Sequence, residues 1–102
     1  MVNDMSLDTV RAEITRVDTE IIRLIAERQD LALEIARIKN REGIPIHDER
    51  RAGEVLKAVS SLAEEKKIDP VAVRRVFEIL IAMSEERQRE ISGKGNLPAK
   101  ST

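Results

Sequence analysis

The first third of the chain carries one long amphipathic pattern, interrupted by a single charged residue. Ten positions recur at alternating intervals of three and four residues, and nine of them are aliphatic: Leu7, Val10, Ile14, Val17, Ile21, Leu24, Arg28, Leu31, Ile35 and Ile38. This spacing predicts one long α-helix with an apolar stripe. A buried guanidinium without a partner is strongly destabilising. We therefore expect an anion beside Arg28, either a carboxylate of the protein or a carboxylate of a ligand.

A second cation lies on the same side of the predicted helix. Lys39 follows Arg28 by eleven residues, which places it about 20° away around the helix axis and about 16 Å along it. Ile35 lies between the two cations, and the neighbouring stripe of the helix contains no acid that could neutralise them. Two interpretations stay open at this point: Arg28 pairs with an acid from another helix, or both cations bind one small anionic ligand.

Composition excludes several classes of function. The 102 residues carry a net charge of −1 and one aromatic side chain, which argues against a nucleic-acid binder. There is no cysteine, and His47 is the only histidine, so we expect no metal site, no nucleophilic triad and no cofactor. No apolar run reaches the length of a membrane span, and the N-terminus does not resemble a signal peptide. We expect a cytoplasmic protein without a membrane or nucleic-acid partner.

The remaining signals predict an all-α protein with three helices. The first begins near Ser6 or Leu7 and runs to about Glu42, where Gly43 ends it. After an extended connection around Pro45, Asp48 caps a second helix that runs to about Lys66. Asp69 and Pro70 begin a third helix that ends near Ile91. The expected organisation is a single all-helical domain over residues 1–91 and a flexible C-terminal tail over residues 92–102.

The first helix is too long to be covered by its own chain. Its 36 residues span about 54 Å, whereas a compact domain of this size has a radius of gyration of only about 13 Å. A sustained heptad of this kind usually has a partner helix, so we expect an intertwined homodimeric helical bundle. Arg11 lies about 100° from Arg28 around the axis and cannot share a pocket with it in one chain. In an antiparallel pairing, Arg11 would approach the partner's Arg28 and Lys39.

The second and third helices add polar groups at positions that should face inwards. Arg51 lies one turn before Val55 on the apolar stripe of the second helix. Ser84 and Gln88 continue the apolar face of the third helix by one turn each. With Arg28 and Lys39 these residues form a cationic or neutral set, and Asp48 is the only acid that we expect nearby. Such a pocket suits a small molecule with more than one carboxylate.

The joint spacing of these residues resembles that of the all-helical class of chorismate mutases. The matching pattern covers residues 7–91 without a gap: Arg11, then Ala26-Glu27-Arg28, Lys39, Pro45-x-x-Asp48-x-x-Arg51, and Ser84-x-x-x-Gln88. The resemblance implies an intertwined homodimer of three-helix chains, with two active sites that each borrow Arg11 from the partner chain. It also implies that the substrate is chorismate and that the product is prephenate, in phenylalanine and tyrosine biosynthesis.

The same resemblance assigns roles to the site residues. Arg28, Arg51 and Lys39 would hold the two carboxylates of chorismate, and Lys39 and Gln88 would donate to the ether oxygen whose bond breaks. Asp48 and Ser84 would complete the site, with Ile35 and Ile81 packed against the ring. The reaction is a unimolecular pericyclic rearrangement. Positioned cations and a held conformer are therefore sufficient for catalysis, without nucleophile, base or metal.

Ala52 is the one departure from the family pattern. Family members usually carry a glutamate at this position, where it binds the ring hydroxyl. Asp48 and Glu49 are the candidate substitutes, because both lie within one turn of Ala52. The change also raises an alternative: an isochorismate-pyruvate lyase, which has the same fold but a substrate whose hydroxyl lies elsewhere on the ring. A third interpretation is a non-catalytic helical dimer that serves as a scaffold.

Overall fold

Three helices make up the part of the chain that the structure describes. The structure is a computed structural model that describes residues 6–96. It contains α1 (Leu7–Glu42), α2 (Glu49–Glu65) and α3 (Pro70–Asn96), and no strand within those residues. This confirms the predicted all-α class and the number of helices.

The predicted ends of α1 are confirmed by its caps. Ser6 Oγ accepts a hydrogen bond from the backbone N–H of Thr9 at 3.1 Å, which satisfies one free donor of the first turn. At the other end Gly43 adopts a left-handed conformation with φ of 70°, which glycine reaches without a steric penalty. The N–H groups of Gly43 and Ile44 both donate to the carbonyl of Lys39.

The two shorter helices begin at the predicted residues. Asp48 Oδ1 accepts from the backbone N–H of Arg51 at 3.0 Å, and Asp69 Oδ1 accepts from that of Val71 at 2.9 Å. The predicted end of α3 at Ile91 is wrong, because the helix continues to Asn96. Glycine within a helix costs about 1 kcal/mol but does not break it, so Gly93 and Gly95 do not stop a helix that is already formed. Residues 97–102 of the predicted tail lie outside the described residues.

α3 lies between the other two helices and packs against both, while α1 and α2 do not pack against each other. The buried apolar residues are small: Ala32 and Ala36 on α1 and Ala63 on α2. Small side chains at a contact let helices approach closely. The core of one described chain is therefore thin, and its extents of 63 × 32 × 17 Å are those of an elongated molecule.

The apolar stripe of α1 is uncovered in a single chain. Its nine aliphatic residues all expose at least 42% of their surface, and every residue from 7 to 24 is exposed. The N-terminal half of α1 thus extends away from α2 and α3. No helix within residues 6–96 combines the length and apolar character that a membrane crossing requires.

Candidate active site

A cavity of about 300 Å³ lies where the three helices and the connection before α2 meet. Nine of the ten residues that the sequence analysis selected line it: Arg28, Ile35, Lys39, Asp48, Arg51, Ala52, Ile81, Ser84 and Gln88. Every helix contributes to this set. The tenth residue, Arg11, is exposed on the free half of α1 and is absent from the cavity wall.

Arg28 enters the cavity wall from α1 without a carboxylate beside it. Its Nη1 donates to the carbonyl of Leu80 on α3 at 3.1 Å, and no ion pair within residues 6–96 includes it. Burial lowers the pKa of the Arg28 guanidinium, and the positive charge of Arg51 lowers it further. A guanidinium has five N–H donors, so most of the hydrogen-bonding capacity of Arg28 is still available to an anion.

Lys39 connects the end of α1 to the segment that leads into α2. Its Nζ donates to the carbonyl of Ile46 at 2.6 Å, which leaves two of the three ammonium donors for other partners. The ion pairs of the described residues do not include Lys39. The ammonium group is therefore held at the cavity by a neutral acceptor that does not cancel its charge.

Asp48 and Arg51 form the start of α2. The backbone N–H of Arg51 is the main cause that lowers the pKa of Asp48, with smaller contributions from the charges of Arg50 and Lys39. The Arg51 side chain is 69% exposed, and its Nη1 lies 3.5 Å from Glu54 Oε1. A contact that long and that exposed is weak, so the guanidinium can exchange Glu54 for a ligand at the mouth of the cavity.

Ser84 and Gln88 place a neutral hydrogen-bonding pair inside the cavity wall. Gln88 is only 4% exposed, and its Nε2 donates to Ser84 Oγ at 3.1 Å. Its Oε1 is buried and has no hydrogen-bond partner among the described residues. Buried polar atoms almost always have a partner, and a functional role is one of the physical reasons for an exception. The amide of Gln88 therefore has unused hydrogen-bonding capacity beside the cavity.

Glu85 is a cavity residue that the sequence analysis missed. It lines the cavity, and its side chain is 16% exposed. Its Oε2 accepts from His47 Nδ1 at 2.9 Å, and its Oε1 accepts from Arg89 Nη2 at 3.3 Å. The expectation that Asp48 is the only acid nearby is therefore wrong. A signal was present, because Glu85 follows Ile81 by four residues and precedes Gln88 by three, which places all three on one face of α3.

His47 bridges the start of α2 to α3. Besides its contact with Glu85, its Nε2 lies 2.8 Å from Glu49 Oε1. The hydrogen bond with Glu85 is the main cause that raises the pKa of His47, and that with Glu49 is the second. Glu49 itself is 89% exposed and does not line the cavity.

The fold and the cavity define an all-helical protein with a cavity lined by three cations, and comparison with known proteins gives its family. The profile of the family described as chorismate mutase type II matches residues 10–89. The chorismate mutase of Methanocaldococcus jannaschii is 36% identical over 84 residues, which is 82% of this chain and 85% of that protein. The chain belongs to the chorismate mutase type II family, a family of isomerases.

Other relatives contain a domain of this kind within a longer protein. The bifunctional chorismate mutase/prephenate dehydratase of Aquifex aeolicus is 41% identical over 59 residues, 58% of this chain and 16% of that protein. The bifunctional protein of the same description from Escherichia coli is 27% identical over 81 residues, 79% of this chain and 21% of that protein. The chain thus spans less than a quarter of these two bifunctional relatives.

Proposed function

We propose that two copies of this chain form an intertwined dimer whose two identical sites convert chorismate to prephenate. The chain belongs to the chorismate mutase type II family, and the observation that carries the proposal is that three cations line its cavity: Arg28, Lys39 and Arg51. Among the described residues, neither Arg28 nor Lys39 forms an ion pair with a carboxylate. Chorismate carries two carboxylates, so a dianion of this size would supply the missing negative charge.

Each cation has a distinct role in the proposed site. Arg28 and Arg51 bind the carboxylates, because a guanidinium can form two parallel hydrogen bonds with a carboxylate. Lys39 donates to the ether oxygen, where negative charge develops as the C–O bond breaks and the new C–C bond forms within the same molecule. Donors placed in advance at such an oxygen supply the largest contribution to catalysis of this kind.

Gln88 is the proposed second donor to the ether oxygen. In the present arrangement its Nε2 donates to Ser84, but the Ser84 hydroxyl can donate as well as accept. Rotation of the amide by 180° lets Ser84 donate to Oε1 and releases Nε2 for the substrate. Ile35 and Ile81 give the cavity apolar walls that hold the compact reactive conformer, which removes part of the entropic barrier.

The uncovered stripe of α1 supports the proposed dimer. A contiguous exposed apolar surface of this length is typical of a protein interface, and most of the stability of a helix in a protein comes from packing of its amphipathic face. A second copy packed on the stripe would cover it on both chains. Arg11 of the second copy would then approach the cavity of the first copy, which the first copy's own Arg11 cannot reach. The cytoplasmic location stays a prediction.

Product analysis tests the proposed function. The wild type, the Arg28→Ala variant and the control variant Arg37→Ala are each incubated with chorismate and, separately, with isochorismate. Arg37 is 58% exposed and pairs with Glu34, so its loss should not change the rate. We expect prephenate from chorismate, and nearly none from Arg28→Ala. Formation of pyruvate from isochorismate, without prephenate from chorismate, would show that the protein is a lyase. Turnover of neither substrate would support the non-catalytic scaffold instead.

A further inference from the structure

One acidic side chain is held in the wall of a cavity that otherwise suits a dianion. Glu85 follows Ile81 and Ser84 along the face of α3 that ends at Gln88, and all four residues line the cavity. Its carboxylate is fixed by two partners outside the cavity lining, His47 and Arg89. A carboxylate placed beside an anionic ligand is repelled by it, so the presence of Glu85 calls for a specific partner on the substrate.

The chemistry of chorismate offers a single such partner. Its two carboxylates and its ether oxygen only accept hydrogen bonds, and the ring hydroxyl is its one donor. A carboxylate can only accept when it is ionised, and its two oxygens can accept about four hydrogen bonds. Glu85 uses two of these on His47 and Arg89, so it can accept one from a hydroxyl.

The other candidate acceptors are less suited to this hydroxyl. Glu49 lies outside the cavity lining and is 89% exposed. Asp48 lines the cavity, but its Oδ1 caps α2. Ala52 contributes only a methyl group to the cavity that Glu85 also lines, so it supplies no acceptor for the hydroxyl.

We propose that Glu85 accepts the hydrogen bond of the chorismate ring hydroxyl and so selects the substrate by the presence of that hydroxyl. This inference rests on the proposed function and adds a specificity residue to it. His47 and Arg89 act as positioning residues, because they hold both carboxylate oxygens and offset the negative charge that Glu85 brings to the site.

The test compares chorismate with deoxychorismate, the same molecule without the ring hydroxyl. Glu85→Ala should lower kcat/KM for chorismate by about 10- to 100-fold, the usual effect of losing a hydrogen bond to a charged group. It should change kcat/KM for deoxychorismate by less than about threefold. Glu86→Ala is the matched control, because Glu86 is the next residue of α3, is 70% exposed and also contacts Arg89. It should leave both substrates at wild-type values.

A second variant pair separates hydroxyl binding from a structural effect. Ala52→Glu in the Glu85→Ala background should raise kcat/KM for chorismate by about tenfold or more, because it returns a carboxylate to the lining of the cavity. Circular dichroism establishes that each variant is folded. An equal loss on both substrates would overturn the inference while the mutase activity of the wild type stands. A wild-type protein that leaves chorismate unchanged would overturn the proposed function and this inference together.

Discussion

Gln88 donates to Ser84 Oγ at 3.1 Å through Nε2, while its Oε1 lies buried with no hydrogen-bond partner among the described residues. Leaving a buried carbonyl oxygen unpaired costs about 1–3 kcal/mol. The pair is therefore less stable than an apolar pair of the same shape would be. An arrangement that sacrifices stability in a cavity wall is typical of a site shaped by function.

Substitution of Gln88 should separate activity from stability. Gln88→Leu removes the proposed donor to the ether oxygen, so kcat should fall by about 10²–10³. The same change removes the unpaired oxygen, so the free energy of unfolding should stay the same or rise. Steady-state kinetics and urea unfolding measure the two quantities. Wild-type kcat in a folded Gln88→Leu protein would remove Gln88 from the mechanism.

Substitution of Lys39 should lower the rate of turnover strongly. Lys39→Ala removes a cation beside the developing oxyanion, and we expect kcat to fall by at least about 10²–10³. Helix content should be retained, since alanine forms helix better than lysine does. Lys57→Ala is the control, because Lys57 is exposed on α2 and does not line the cavity. If both variants turn over chorismate at the same rate, the role given to Lys39 is wrong.

The stripe of α1 should control assembly. The wild type should sediment as a single dimeric species at low micromolar concentration, because one chain leaves the stripe uncovered. Ile21→Lys puts a charge into the middle of the stripe and should dissociate or unfold the dimer. Thr19→Lys adds the same charge about 160° away around the helix and should sediment as the wild type does. A folded, helical wild-type monomer under these conditions would contradict the intertwined dimer.

Arg11 and Arg28 should complement each other across the dimer. Arg11→Ala and Arg28→Ala should each be nearly inactive, because every site then lacks one guanidinium. In a mixed dimer one site keeps both arginines and the other lacks both, so activity should recover to about half that of the wild type. Differently tagged chains, refolded together and purified as heterodimers, provide the measurement. Inactive heterodimers would place Arg11 in its own chain's site or outside the site altogether.

His47 should make stability depend on pH in one direction. Hydrogen bonds with Glu85 and Glu49 raise the pKa of His47 above its ordinary value of about 6.5 in the folded state. Its stabilising contribution is therefore fully present below about 6.5 and is lost as the pH rises through the folded pKa. The difference in unfolding free energy between wild type and His47→Gln should shrink over that range. Because His47 is the only histidine, one imidazole resonance reports its pKa directly, and a value at or below 6.5 would contradict the bridge.

The helix boundaries could be predicted because they depend on contacts within a few residues. Ser6 caps the N–H of Thr9, Asp48 caps that of Arg51, and Gly43 adopts a left-handed conformation that its lack of a side chain permits. The common face of Arg28 and Lys39 likewise follows from helix geometry alone. The predicted end of α3 is wrong because Gly93 and Gly95 are part of the helix; a glycine in helical conformation costs about 1 kcal/mol but does not by itself end the helix.

The surroundings of the cavity required the tertiary structure. Arg28 donates to Leu80, 52 residues away, and Glu85 contacts His47 across 38 residues. Local spacing shows which residues share a face of one helix, but not which face of α3 turns towards α1 and α2. That choice depends on how all three helices pack, and it placed Glu85 in the lining of the same cavity as Arg28 and Lys39. The sequence by itself therefore determined the helices and the shared face of Arg28 and Lys39, whereas only the packing of the three helices decided which acid lines the cavity with them.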